Sequence, residues 1–182
     1  MVYVFLAPGF EEGEAIVPID LMLRAGISVT TVGIGAQVIP GAHGIAVTAD
    51  VAESQLTSLP EDAEMILLPG GMPGTKNLDA SPFVHACIRS ATERNLPLAA
   101  ICAAPSVYGK LGLLRGKKAT CFPGFEEALL GADVTGEGVA VDENMITARA
   151  LGSAYEFAFA IIERLKDAET AIRVRDSIYF GP

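Results

Sequence analysis

Short apolar segments alternate with longer segments of mixed apolar and polar character along most of the chain. Val2–Leu6, Met65–Leu68, Leu98–Ile101 and Met145–Ala148 contain almost no polar residue, which is typical of strands buried on both faces of a sheet. Further strands are predicted at residues 28–32, 119–121 and 139–141. Residues 37–39 and 45–48, joined through Pro40 and Gly41, predict a β-hairpin at one side of the sheet.

The segments between these strands carry helical signals. Helices are predicted at residues 14–24, 83–94, 104–110 and 152–165. The helix at 83–94 has the clearest start, because Ser81 can cap it and Pro82 suits the first helical position. Residues 166–182 are predicted as a polar tail. This alternation predicts one doubly wound α/β domain over residues 1–182, with a mostly parallel sheet covered by helices on both faces.

Composition and charge restrict the class of protein further. The chain has 182 residues, of which 51% are hydrophobic, and this is enough for one large core. The net charge is −9 and the longest basic run is Lys117-Lys118, so a nucleic-acid-binding module is not expected. No apolar run approaches the roughly 20 residues of a membrane span, and the start of the chain lacks the basic region of a signal peptide. These features predict a cytoplasmic protein.

The cysteines point to chemistry at one position. Cys87, Cys102 and Cys121 are odd in number and lack CxxC spacing, so neither a disulfide scaffold nor a structural zinc site is expected. Cys102 directly follows a buried strand and precedes a helix, among small residues, which is the setting of a nucleophile elbow. A buried core cysteine is an equally acceptable interpretation of this spacing. Cys87 and Cys121 lack the elbow setting and are interpreted as core residues.

Three acidic residues open the first helix, and Glu14 is the one predicted to turn inward. Val17, Pro18 and Leu21 follow it on the expected core side. Glu11 and Glu12 are interpreted as solvated residues that stabilise the helix dipole. A carboxyl group near Cys102 would share a proton with the thiol.

The remaining candidates are glycines and histidines. Gly70 and Gly71 follow a strand, where glycines allow close backbone approach and present N–H groups to an oxyanion, although they also simply make turns. His43 lies in the hairpin and could reach a pocket edge, whereas His85 is expected on a helix surface. Two isolated histidines without clustered carboxylates offer too few ligands for a metal site.

Four segments, in order along the chain, resemble the DJ-1/ThiJ/PfpI superfamily, and its DJ-1/ThiJ (YajL-like) branch most closely. They are Glu11-Glu12-Gly13-Glu14 with Val17-Pro18-Ile19-Asp20, Leu68-Pro69-Gly70-Gly71, Ala99-Ala100-Ile101-Cys102-Ala103-Ala104-Pro105, and Tyr155-Glu156-Phe157-Ala158. The resemblance implies a flavodoxin-like, class I glutamine amidotransferase-like sandwich, and a homodimer. It also implies that Cys102 is the reactive residue, that protonated Glu14 hydrogen-bonds to it, and that Gly71 and Ala103 offer backbone N–H groups. No cofactor is implied.

The chain departs from the family pattern near the expected pocket. His43 stands where relatives often have Arg, and Phe122 stands where they have His. Arg149-Ala150-Leu151-Gly152 replaces their Arg-Gly-Pro-Gly. Because Phe122 replaces a histidine, the expected pocket loses one candidate proton carrier. Gly70 is a further residue of this expected pocket.

Two classes of function are compatible with these residues. The leading hypothesis is an enzyme of the glyoxalase III or deglycase type, in which Cys102 and Glu14 act on small reactive aldehydes or their early adducts. The alternative is an oxidative-stress sensor or chaperone-like protective protein that uses oxidation of Cys102 without turnover. A glutamine amidotransferase is disfavoured because no histidine follows Cys102, and a peptidase is disfavoured because Ala103 stands where its histidine would be.

Two physical expectations follow for the site and the assembly. The elbow and the helix terminus are expected to lower the pKa of Cys102, alone among the three thiols, to about 4–6. The apolar first helix with its small residue Gly13 is expected to pack across a two-fold axis.

Overall fold

The protein, described from a computed structural model over residues 1–181, is built on a seven-stranded sheet in the order β10-β11-β7-β6-β1-β2-β5. The strands of this sheet are β1 (Val2–Leu6), β2 (Val29–Gly33), β5 (Val51–Ala52), β6 (Met65–Leu68), β7 (Leu98–Ile101), β10 (Val139–Asp142) and β11 (Met145–Ala148). All neighbours pair in parallel except β10 and β11. The predicted mostly parallel sheet is confirmed.

Helices cover both faces of this sheet. They are α1 (Glu12–Arg24), α2 (Gly74–Ala80), α3 (Pro82–Glu93), α4 (Pro105–Lys110), α5 (Ala154–Leu165) and α6 (Ala168–Ser177). Buried side chains of α1, α5 and α6 form one core with alternate residues of the strands, and those of α2, α3 and α4 form a second core on the other face. This arrangement confirms the predicted doubly wound architecture.

Two small sheets lie outside the main one. The predicted hairpin is confirmed as β3 (Val38–Pro40) and β4 (Ala46–Thr48), which pair antiparallel with Val38 opposite Thr48. The strand predicted at 119–121 is shorter and earlier, as β8 (Lys118–Ala119), and pairs in parallel with β9 (Asp133–Val134). Neither β5 nor β9 was predicted, because two residues give no readable periodicity.

The prediction for the end of the chain is wrong. Residues 168–177 are helical rather than a polar tail, since the Asp167 side chain accepts a hydrogen bond from the Thr170 N–H at 2.7 Å and caps the helix. Ala171 and Val174 then bury against α5. Pro182 lies outside the described residues. Among residues 1–181 there is no helix with both the length and the apolar character that crossing a membrane requires.

Candidate active site

Cys102 occupies a strained turn at the carboxyl end of a central strand. It follows β7 directly and has a φ of 65°, a conformation that costs a residue with a side chain of order 1–3 kcal/mol. Two backbone hydrogen bonds hold this conformation: the Cys102 N–H donates to the Ala148 carbonyl at 2.9 Å, and the Phe122 N–H donates to the Cys102 carbonyl at 2.8 Å. The predicted elbow is therefore present, and the thiol is partly exposed.

Glu14 reaches the same point from α1. The helix begins at Glu12, two residues earlier than predicted, and its first turn buries Glu14 to 2% exposure. One carboxylate oxygen of Glu14, Oε2, accepts a hydrogen bond from the Gly70 N–H at 3.1 Å. The Cys102 side chain and the Leu151 N–H also lie close enough to this carboxyl group to lower its pKa. The structure thus brings together the two residues predicted to share a proton.

The glycine loop after β6 makes this proximity possible. A Cβ atom at Gly70 would lie 2.5 Å from the Cys102 Cβ and 2.5 Å from Glu14 Oε2, so a side chain there would separate the pair. Gly71 has a φ of 91°, and its N–H group and that of Ala103 lie near enough to the Cys102 thiol to lower its pKa. The three predicted partners of Cys102, namely Glu14, Gly71 and Ala103, therefore lie beside it.

Burial raises the pKa of both acids in this pair. Desolvation is the largest cause for Glu14, and the nearby charge of Glu11 adds to it, so the pKa rises to about 7 despite the hydrogen bonds from Cys102, Gly70 and Leu151. Desolvation also raises the pKa of Cys102 to about 12, with further contributions from the charge and the hydrogen bond of Glu14. The N–H groups of Gly71 and Ala103 lower the pKa of Cys102, but by less.

The expectation of a depressed thiol pKa is therefore wrong while Glu14 carries the negative charge. Burial likewise raises the pKa of Cys87 to about 12 and that of Cys121 to about 11, so all three thiols shift in the same direction. What distinguishes Cys102 is its partner. Between about pH 7 and pH 12 the Cys102–Glu14 pair holds one proton, which can lie on the carboxyl group or on sulfur.

The expectation that Glu11 and Glu12 are both solvated is wrong for Glu12. It is 7% exposed, and its Oε1 accepts hydrogen bonds from the His43 N–H at 2.8 Å and the Ile45 N–H at 3.2 Å. Oε2 lies 3.0 Å from Nδ1 of His43. Desolvation raises the pKa of Glu12, but its own N–H and the hydrogen bonds from His43 and Ile45 outweigh this effect and lower it to about 2. Glu12 thus fixes the hairpin to α1.

His43 contacts Glu12, where the hairpin is fixed to α1, rather than the Cys102 thiol. Its exposed ring contacts Glu12 and lies 3.5 Å from a Glu11 oxygen, and the Glu12 hydrogen bond is the largest cause that raises the pKa of His43. The premise that no carboxylates cluster with a histidine is therefore wrong, since ligand atoms of Glu11, Glu12 and His43 lie within 4.8 Å of one another. Both Glu12 oxygens are already engaged with the hairpin, and we assign no metal to this cluster.

The departures from the family pattern lie around the pair. Phe122 contributes its backbone N–H to Cys102, and its side chain is exposed. Leu151 contributes its N–H to Glu14, and its Cδ1 atom would be 2.5 Å from a Cβ at Gly13. Gly13 therefore makes room for Leu151 of the same chain. Sequence reasoning missed both the Leu151 N–H and the role of Glu12, because each depends on a distant segment.

Glu12 provides a test of the anchoring contact. Glu12→Ala should lower the free energy of unfolding by about 1–3 kcal/mol, because the N–H groups of His43 and Ile45 lose their acceptor. The low pKa of Glu12 means that this contribution is present above its ordinary pKa of 4.5 and is lost as the pH falls towards 2. Chemical denaturation at pH 7, with hydrogen exchange at residues 43 and 45, measures both effects. Glu11→Ala is the matched control, and an equal loss in both variants would contradict this account of the anchor.

Known proteins are similar to this chain in both sequence and fold. Residues 1–164 match the DJ-1/PfpI family. The zebrafish (Danio rerio) Parkinson disease protein 7 homolog is 36% identical over 181 residues, covering 94% of this chain and 93% of the relative. The crystal structure of Drosophila melanogaster DJ-1beta superposes with a TM-score of 0.92 at 33% identity, covering 100% of this chain and 98% of that one.

Two relatives carry names that state an activity. One is a deglycase of Pyrococcus abyssi, 28% identical and covering 91% of this chain and 99% of the relative. The other is a glutathione-independent glyoxalase of Caenorhabditis elegans. It is 29% identical, and the match covers 87% of this chain and 84% of the relative. The match across residues 1–164, the DJ-1beta likeness and the confirmed flavodoxin-like sandwich lead to one conclusion: the chain belongs to the DJ-1/PfpI family.

Proposed function

We propose that the protein is a cofactor-independent enzyme in which Cys102 and Glu14 convert 2-oxoaldehydes such as methylglyoxal, or their early adducts with thiols and amines, without glutathione. The observation that carries the proposal is the placement of a nucleophile at a strained turn beside a buried carboxyl group with a pKa of about 7. A group that titrates near neutral pH can both give and take protons during a reaction. The deglycase and glyoxalase names of two relatives support the same class of chemistry.

The reaction begins when the shared proton lies on Glu14 and sulfur is a thiolate. The thiolate adds to the aldehyde carbon, forming a C–S bond, and the resulting alkoxide takes the Glu14 proton to give a hemithioacetal. The N–H groups of Gly71 and Ala103, which face the sulfur, favour the thiolate and then lie next to the new oxygen. Glu14 is left as a carboxylate.

Glu14 then moves the proton whose transfer converts the hemithioacetal into a thioester. The carboxylate takes the hydrogen from the former aldehyde carbon, which gives an enediol, and returns it to the neighbouring carbon while the hydroxyl proton passes to the neighbouring oxygen. The product is a thioester of a 2-hydroxy acid. The aldehyde carbon has been oxidised and the ketone carbon reduced, so no external oxidant is needed. Water hydrolyses the thioester and returns the thiol.

The alternative function uses the same thiol without turnover. A sulfinate at Cys102 would be held by the protonated carboxyl group of Glu14, and the partly exposed thiol is open to oxidants. Steady loss of methylglyoxal over many enzyme equivalents, with lactate as product and no glutathione present, supports the enzyme. Loss of one equivalent of aldehyde per Cys102, followed by no further reaction, would contradict it and favour the sensor or a chaperone-like protective role.

We also propose that two copies of the chain associate. Ile16 and Leu23 are large apolar side chains on α1 that are exposed in the single chain, and burying them across a two-fold axis would remove them from water. Sedimentation at micromolar concentration should give a particle of twice the chain mass. Ile16→Glu should shift the particle towards the single-chain mass, with Ile172→Glu on α6 as the control. A wild-type particle of single-chain mass would contradict the dimer.

A further inference from the structure

Three large apolar residues adjoin the Cys102–Glu14 pair through their backbone, and their side chains are exposed to solvent. They are Met72, Phe122 and Leu151, with exposures of 41%, 43% and 47%. Each is attached to the pair through the backbone. Met72 follows Gly71, whose N–H faces sulfur; the Phe122 N–H binds the Cys102 carbonyl at 2.8 Å; and the Leu151 N–H binds the Glu14 carboxyl group.

The backbone positions of these residues are fixed by the same contacts that build the site. The Leu151 side chain packs over Gly13, at the start of α1 and one residue from Glu14. Single exposed apolar residues are ordinary on a protein surface, but the backbones of these three all adjoin one reactive pair, and we treat them together as a local apolar rim. A substrate bound to Cys102 would place its substituent against this rim.

The charge beside the pair is negative. Glu11 raises the pKa of Glu14 through its charge, and His43 is held against Glu11 and Glu12 rather than free to meet an anion. A phosphate or carboxylate on the substrate would therefore be repelled at this edge, whereas an uncharged hydrocarbon group would be favoured by burial against the rim.

We propose that Met72, Phe122 and Leu151 form an apolar subsite that selects 2-oxoaldehydes with a bulky hydrocarbon substituent, such as phenylglyoxal, over methylglyoxal. The inference rests on the proposed function and names its substrate class. The substituent keeps its bonds throughout the reaction, so its burial contributes to binding in every state and raises kcat/KM. Replacing a methyl group by a phenyl ring in an apolar subsite is worth about 10- to 100-fold.

The test compares kcat/KM for phenylglyoxal and methylglyoxal in the wild type, Phe122→Ala and Leu151→Ala. We expect the ratio to favour phenylglyoxal in the wild type and to fall about 5- to 10-fold in each variant, because the phenyl ring loses more apolar contact than the methyl group does. The intrinsic reactivities of the two aldehydes cancel when the ratio in a variant is divided by the ratio in the wild type. Ile172→Ala, an exposed residue on α6, is the matched control. An unchanged ratio in both variants would overturn the subsite.

A second readout keeps this inference separate from the proposed function. Alkylation of Cys102 by phenacyl bromide and by bromoacetone, followed by mass spectrometry, compares the same two substituents without turnover. If neither aldehyde is turned over but Phe122→Ala lowers the phenacyl preference, the proposed function fails and the subsite stands. If Phe122→Ala instead changes the sedimenting mass and leaves both preferences unaltered, the rim belongs to a chain–chain interface and the subsite is wrong.

Discussion

Replacing Cys102 by serine should lower the turnover of methylglyoxal by about 10⁴-fold or more, because a hydroxyl group at this position is far less acidic and less nucleophilic than the thiol. The substitution changes one atom at a turn whose backbone hydrogen bonds to Ala148 and from Phe122 do not involve the side chain. The fold should therefore persist. Steady-state turnover together with thermal unfolding measures both properties.

The matched control for this substitution is Cys87→Ser. Cys87 is buried in α3 away from the site, and a serine hydroxyl there can hydrogen-bond to the preceding helical turn. Turnover should stay within about threefold of the wild type. Residual activity of Cys102→Ser above about a tenth of the wild-type rate would show that the thiol is not the nucleophile.

The second large effect concerns Glu14. Glu14→Gln should lower turnover by roughly 10²- to 10⁴-fold, because the amide keeps a hydrogen-bond donor beside sulfur but cannot pass a proton. Much of the reactivity of Cys102 towards an alkylating agent should remain. The experiment therefore separates proton transfer from nucleophilicity, two roles that a deletion of the side chain would remove together.

Glu11→Gln is the matched control for this variant. It makes the same chemical change at a half-buried acid that contacts His43 and acts on Glu14 only through its charge. Turnover should fall far less than in Glu14→Gln, and the pH at which it rises should move down because the charge that raises the pKa of Glu14 is gone. If Glu14→Gln turns over methylglyoxal at the wild-type rate, the proton carrier is another group, and Glu11, Glu12 and His43 become the candidates.

The sequence predicted the parts of the fold that repeat a pattern. The apolar runs of β1, β6, β7 and β11 match the structure residue for residue, because strands buried on both faces leave an unbroken signal. The helix α2 was missed because the glycines and prolines before it also signal a turn. The helix α6 was missed because only Ala171 and Val174 of that segment are apolar and buried, which is too few to show a period.

The site was predictable where local geometry defines it and not where distant segments meet. Cys102 follows a strand and precedes a helix, so its strained turn was readable from the chain. The burial of Glu12 was not, because its partners lie in the hairpin at His43 and Ile45. The thiol pKa was wrongly predicted because the elbow and the helix terminus were weighed without the desolvation of the thiol, which is the largest cause of its raised pKa.

The central claim is that Cys102 and Glu14 titrate as one pair that holds a single proton at neutral pH. The rate of Cys102 alkylation, measured by mass spectrometry from pH 5 to 12, tests it most directly. The wild type should show a first rise near pH 7 and a second near pH 12, as the pair loses its two protons. Glu14→Gln should show one rise only. A single wild-type step near the ordinary thiol value of about 8.5, unchanged in Glu14→Gln, would contradict the shared proton.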